Sequence, residues 1–186
     1  MVETAVNVLG ISGSLRKGSY NTAALRAATE LAPQGMRIER FNIGEMPPYN
    51  EDVKAKGYPP GPDNFRHRIR VADAVLFVTP EYNYSIPGVL KNAIDWASRP
   101  PEQPFAKKPI GIMGASQGLI GSARAQYHLR QCFVFLNGFV MNTPEVMIPE
   151  AQKKFDAEGR LTDEKTREFI TKFLVALKDW VAVLHR

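Results

Sequence analysis

Apolar residues recur along the chain in short runs: Ala5 to Leu9, Met36 to Ile43, Ala74 to Val78, Pro109 to Met113 and around Phe139 to Ile148. Each predicts a strand. The run Ala74-Val75-Leu76-Phe77-Val78 has no polar interruption, as expected for a central parallel strand covered on both faces. Met36 to Ile43 differs, because Met36, Ile38 and Arg40 hold one phase while Phe41 and Ile43 resume on the other, which predicts a half-exposed strand near a sheet edge.

Between the runs the apolar period changes to that of a helix. Ala24, Leu25, Ala28 and Leu31 fall on one stripe of Asn21 to Leu31, which Pro33 and Gly35 terminate. Phe65, Ile69 and Ala72 do the same in Phe65 to Ala72, leaving Arg66, His67, Arg68 and Arg70 largely outside the stripe. Further helices are expected over Gly88 to Ser98, Ser122 to Phe135 and Thr162 to Leu184. In the last, Thr162 is the expected cap, and Ile170, Phe173, Leu174, Leu177, Val181 and Leu184 form the packing face. The segment 44–62 contains five prolines and three glycines and reads as a long ordered loop or a lid.

Strand and helix patterns therefore alternate five times, which predicts an α/β fold: a doubly wound, five-stranded parallel sheet with helices on both faces. In the flavodoxin-like strand order 2-1-3-4-5, ligands gather at the carboxyl ends of the strands, where the order reverses between strands one and three. At 186 residues and 20.8 kDa, one domain spanning 1–186 is expected.

Composition narrows the function. No apolar run reaches the ~18 residues that a membrane span needs, and no basic region precedes a long apolar stretch near Glu3, so a cytoplasmic location is expected. Cys132 is the single cysteine, which excludes an internal disulfide and any CxxC redox pair. Electron transfer by this chain would need a bound cofactor. The net charge of +5 is spread without a dense basic run or a nucleic-acid motif, so no nucleic-acid partner is expected, and the diffuse field favours small anions.

The chemistry concentrates in three loops. Gly10 to Asn21, GISGSLRKGSYN, follows the first strand and precedes a helix, a geometry that aims backbone N–H groups at an anion. Gly13 to Ser19 lacks the lysine of a triphosphate-binding G-x-x-x-x-G-K-[ST] loop, and Gly10, Gly13 and Gly18 have the wrong spacing for the dinucleotide fingerprint G-x-G-x-x-G. What remains is a monophosphate cradle supplemented by Arg16. The second loop, Thr79 to Ser85 (TPEYNYS), offers backbone groups to the edge of a flat ring, and the third, Gly114 to Gly121, offers Ser116 and further amides at a helix start. Flavin mononucleotide (FMN) combines these requirements.

The motifs GSLRKGSYN at 13–21, TPEYNYSIPGVLKNAIDW at 79–96 and GASQG at 114–118 closely resemble the NADPH-dependent FMN reductases, particularly the chromate and quinone reductase branch. The resemblance extends over nearly the whole chain. It implies tightly bound FMN, NADPH or NADH as co-substrate, a homodimer or homotetramer, and a small-molecule acceptor such as a quinone, free flavin, azo compound or chromate. Carried over by position, Ser14, Arg16, Ser19 and Asn21 bind phosphate, with Tyr20 inside the same motif. Pro80, Glu81, Tyr82, Asn83 and Tyr84 line the ring, Ser116 and Gly118 complete the site, and Gln117 between them has an open role. Flavin chemistry requires no protein nucleophile or general acid, and none is expected.

The remaining candidates read as structural. His67, His128 and His185 are dispersed, so no metal site is expected. Cys132, Trp96 and Trp180 read as packing residues. Arg124, Gln126, Tyr127, His128 and Arg130 form a polar and aromatic set on one helix and read as an interface beside the site. Arg99 and Lys107 are expected to add positive charge near the exposed ring face. A flavodoxin-type electron carrier and an FMN-binding regulator are the alternative functions, though Arg16 and a positive net charge are unlike a flavodoxin.

Overall fold

Period-two burial in the strands separates two cores. In the computed structural model, which describes residues 5–185 and so leaves Glu3 outside, every residue of strand β3 (Ala74–Val78) is buried. Ala74, Leu76 and Val78 face one core and Val75 and Phe77 the other. Burying a side chain such as Phe77 stabilises the fold by about 1.5–3 kcal/mol. Strands β1 (Val6–Ser12), β2 (Met36–Phe41), β4 (Pro109–Ala115) and β5 (Phe139–Val140) pair in parallel around it, in the order β2-β1-β3-β4-β5. Helices α1 (Tyr20–Glu30) and α6 (Glu164–Leu184) cover the first face; α3 (Pro60–Val71), α4 (Gly88–Ala97) and α5 (Ala123–Phe135) cover the second. No helix among the described residues is long and apolar enough to cross a membrane.

The expected fifth strand is divided. β5 (Phe139–Val140) pairs with Pro109 and Ile110 at the amino end of β4, and β6 (Val146–Ile148) pairs with Met113 to Ala115 at its carboxyl end. One lane of the sheet is thus interrupted at Met141 to Glu145, where Pro144 has no N–H for a ladder. The edge strand behaves as its pattern predicts: Met36 and Ile38 are buried while Arg37, Glu39 and Arg40 are exposed.

Other boundaries differ from expectation for local reasons. Helix α3 starts at Pro60, because a proline in the first turn has no intrahelical N–H to lose. Its Arg66 lies inside, 4% exposed, where the guanidinium donates to Tyr58 Oη and to the carbonyls of Ala97, Arg99 and Glu102. Asp163, not Thr162, caps α6, its carboxylate accepting from Thr166 N at 2.9 Å; the Thr162 hydroxyl instead donates to the Lys154 carbonyl.

The segment 44–62 is ordered and strapped down. It contains α2 (Glu51–Lys54), and Trp96 Nε1 and Asn92 Nδ2 both donate to the Pro47 carbonyl. Tyr49 N donates to Asn92 Oδ1 at 2.7 Å, and Tyr49 packs edge-on against the fully buried Trp96. Those bonds tie the segment to α4, the helix that follows the second loop.

Candidate functional site

Parallel pairing brings the loops after β1, β3 and β4 to one edge of the sheet, and specific contacts lock them together. Gly13 N donates to the Val78 carbonyl at 2.9 Å, joining the first loop to the start of the second. A Cβ on Gly114 would lie 2.1 Å from Ser122 Oγ and 2.2 Å from the Thr79 carbonyl oxygen, so the second and third loops meet across a position that admits no side chain. Sequence places Gly114 at the start of the third loop without showing what it meets across that edge.

The first loop has the chemistry of an anion cradle. Ser19, the N-cap of α1, is 5% exposed and accepts from Asn21 N and Thr22 N at 3.2 and 3.3 Å, which leaves its hydroxyl proton available to an anion. Ser14 is also buried, and its Oγ accepts from Arg16 N at 3.4 Å. Among the described residues the amides of Leu15, Lys17 and Gly18 have no acceptor, and the guanidinium of Arg16 and the ammonium of Lys17 have no carboxylate partner. Arg16 lies over the ring of Tyr20 at 5.6 Å, and Tyr20 itself packs against Phe155. Asn21 departs from the rest of this set. Its carboxamide is 3% exposed and spends its oxygen and one N–H on the backbone of Ala115.

The second loop is a tight hairpin turn. Tyr82 and Ser85 exchange backbone hydrogen bonds of 2.9 and 3.0 Å around Asn83 and Tyr84, whose φ angles are 49° and 66°. Two successive left-handed residues describe a type I′ turn, and a tyrosine in that region stores strain of order 1–3 kcal/mol. The amides of Asn83 and Tyr84 have no acceptor among the described residues, so they are available to a polar ring edge. Pro80 is buried at the base of the turn.

Glu81, expected to line the ring, directs its carboxylate elsewhere. With its side chain 9% exposed, it accepts from Arg124 N, Ala125 N and Arg124 Nε at 3.1, 3.3 and 2.6 Å. It therefore caps α5 and pairs with Arg124, whose guanidinium stacks 3.5 Å above the Tyr84 ring. Ser85 Oγ and His128 Nδ1 add a 2.8 Å bond between the same turn and α5.

The third loop is zipped to the end of β6 and the chain that follows it. Ser116 N donates to the Ile148 carbonyl and Ala151 N to the Ser116 carbonyl, both at 3.0 Å. Gly121, at φ 54°, presses against the backbone of Met147 and Ile148. Gln117 and Gly118 are exposed, with amides that meet no acceptor among the described residues, and Leu119 and Ile120 place apolar surface beside them.

The donor set fits FMN. A dianion is matched by free amides, Ser19 Oγ–H and the uncompensated charge of Arg16, and a flat ring with a polar rim is matched by the free amides of the second and third loops. The structure brings Ser14, Arg16, Ser19, Tyr20, Asn21, Pro80 to Tyr84, Ser116, Gln117 and Gly118 to this single edge.

Arg99 and Lys107 do not join them. Arg99 follows the carboxyl end of α4 and Lys107 precedes β4, so both lie at the opposite edge of the sheet. Arg99 is held there by the Asp95 carbonyl and the Tyr49 ring. The order of elements already implies this, because in a parallel sheet a helix-to-strand loop lies at the edge opposite the strand-to-helix loops. Cys132 is half-buried in α5, and burial pushes its thiol pKa up, which disfavours the reactive thiolate. Among the described residues no three His, Cys, Asp or Glu side chains are grouped to hold a metal ion.

Comparison with known proteins gives a consistent answer. The sequence pattern described as NADPH-dependent FMN reductase matches residues 6–153. The chain is 64% identical over 180 residues to an NAD(P)H-dependent FMN reductase of Pseudomonas aeruginosa, covering 97% of each chain. It is 45% identical over 179 residues to a quinone reductase of Escherichia coli, covering 95% of each. Among solved structures it superposes on FerB, a flavoenzyme NAD(P)H:(acceptor) oxidoreductase from Paracoccus denitrificans, with TM-score 0.88 and 38% identity over 96% of this chain and 98% of that one.

Proposed function

Because the chain belongs to the NADPH-dependent FMN reductase family, we propose that its three-loop edge binds FMN and passes electrons from NAD(P)H to quinones, and further to free flavins, azo compounds or chromate. It is an FMN-dependent NAD(P)H oxidoreductase acting on quinone-type acceptors. The observation that carries the assignment of the site is the set of unpartnered amides shared by three interlocked loops around Arg16 and Ser19.

When bound, FMN would supply two-electron hydride chemistry between a nicotinamide and an acceptor. The protein's own work is positional. The amides of Leu15, Lys17 and Gly18 with Ser19 Oγ and Arg16 would hold the phosphate, and the Asn83, Tyr84, Gln117 and Gly118 amides would meet the polar rim of the ring. Positive electrostatics at the loop amides favours extra negative charge on that rim. Tyr82 and Tyr84 are 49% and 71% exposed and flank the remaining approach, so nicotinamide and acceptor would occupy one face in turn. A panel of acceptors assayed with NADPH and with NADH tests this reading. Parallel double-reciprocal lines are expected for a shared face; intersecting lines would contradict it.

We read residues 1–186 as one FMN-binding domain of a cytoplasmic protein that assembles as a homodimer or homotetramer. The exposed apolar residues of α5, Val134 and Phe135, together with Tyr127 support assembly.

A further inference from the structure

We infer that Asn21 is a positioning residue that holds the ring-side loop to the phosphate-side loop, and that it is not a phosphate ligand. The inference rests on the FMN reading above. Beyond Val78, β3 can no longer pair with β4: Thr79 N makes the last bond, to the Met113 carbonyl at 3.0 Å, and Pro80 has no N–H to offer. On its other side β4 is still occupied, since Ala115 is in register with Ile148 of β6. The N–H and C=O of Ala115 therefore face a lane that the sheet has vacated, at a residue only 2% exposed. An unpaired buried backbone pair would cost free energy comparable to the lost hydrogen bonds.

Asn21 fills that lane as a peptide mimic. Its Oδ1 accepts from Ala115 N and its Nδ2 donates to the Ala115 carbonyl, each at 2.9 Å across 94 residues of sequence. At its other end the residue is fixed by the cradle, because Asn21 N donates to the capping Ser19 Oγ at 3.2 Å. One side chain thus sets the separation of the Ser19 cap from Ser116, the first residue after β4. Gln, one methylene longer, and Asp, without the N–H donor, do not reproduce this bidentate span.

Riboflavin, which has the ring but no phosphate, separates the two roles. A phosphate ligand affects FMN alone, whereas a strut between loops affects both flavins. Titrating full-length apoprotein, we expect Asn21→Ala to weaken FMN and riboflavin by the same factor, about tenfold for two lost hydrogen bonds, and to shift the visible flavin band. Arg16→Ala should weaken FMN while leaving riboflavin within about twofold. Loss confined to FMN in Asn21→Ala would overturn the inference. A measurement on the wild type removes any dependence on the variant's folding: the Asn21 side-chain amide resonance should stay in place when riboflavin replaces FMN, and a large shift would place the amide on the phosphate. Wild-type protein that binds neither flavin would instead overturn the FMN reading itself.

Discussion

Glu81, on the turn proposed to meet the flavin ring, serves as the N-terminal cap of the helix that begins beside Arg124. The position before that helix, Ser122, has φ 68° and makes no side-chain capping bond, so the Glu81 carboxylate accepts the Arg124 and Ala125 amides in its place. The helix dipole favours its charge there. Replacing it with Gln keeps the size and removes the charge from a nearly buried site. Glu81→Gln is therefore expected to lower stability by about 2 kcal/mol in urea unfolding, since hydrogen bonds to charged groups are worth about 1.5–3 kcal/mol. It should also raise KM for quinone, because Arg124 over Tyr84 loses its anchor. Unchanged stability would show that Arg124 alone holds the turn.

Arg16 carries an uncompensated charge in the proposed phosphate cradle. Arg16→Ala should weaken FMN binding by about 1.5–3 kcal/mol, read as a 10- to 150-fold rise in Kd. Raising ionic strength should narrow the difference between wild type and variant, because an exposed cation is screened. Equal FMN affinities would remove Arg16 from the site.

Three loops at one sheet edge were legible because each follows a largely apolar strand and combines small with polar residues. Their ligand class was legible from Arg16 and the glycine spacing. What stayed hidden is how polar side chains divide their bonds. Glu81 and Asn21 sit inside ligand motifs, yet both turn toward the backbone of a neighbouring loop or helix, and nothing local announces a partner 43 or 94 residues away. Arg66 was hidden for a similar reason. Its helical phase is polar, but four acceptors converge on it from Tyr58 and from carbonyls at and beyond the end of α4. Arg99 and Lys107 were misplaced although chain order settles it: they lie between a helix and the next parallel strand, and such loops occupy the edge opposite the three that follow strands.

Stability should also depend on pH through the last helix. The Thr166 hydroxyl donates to Asp163 and holds its carboxyl pKa below the ordinary value. A depressed carboxyl pKa stabilises the fold above the unfolded value of about 3.9, and the contribution is lost as pH falls through the folded value. Asp163→Ala should cost about 1 kcal/mol at pH 7, as a lost helix cap does. The gap between variant and wild type should close in strong acid. A gap independent of pH would assign the effect to helix propensity instead.

Assembly makes a separate prediction. Phe135 is 93% and Val134 80% exposed on α5, beside a 540 Å³ groove whose lining includes Ile94, Cys132 and Leu136. Light scattering at micromolar concentration should report a dimer or tetramer, and Phe135→Glu should shift it toward the monomer. A wild-type monomer would contradict the assembly.

The central claim is that this chain, loaded with FMN, takes electrons from a nicotinamide without a protein partner. Adding NADPH anaerobically to the yellow holoprotein tests it directly. Rapid bleaching of the flavin, followed by recovery of the colour when a quinone is added, is the expected result. A flavin that stays oxidised under NADPH and NADH alike, yet is reduced once an electron-donating protein is supplied, would contradict the account and identify an electron carrier.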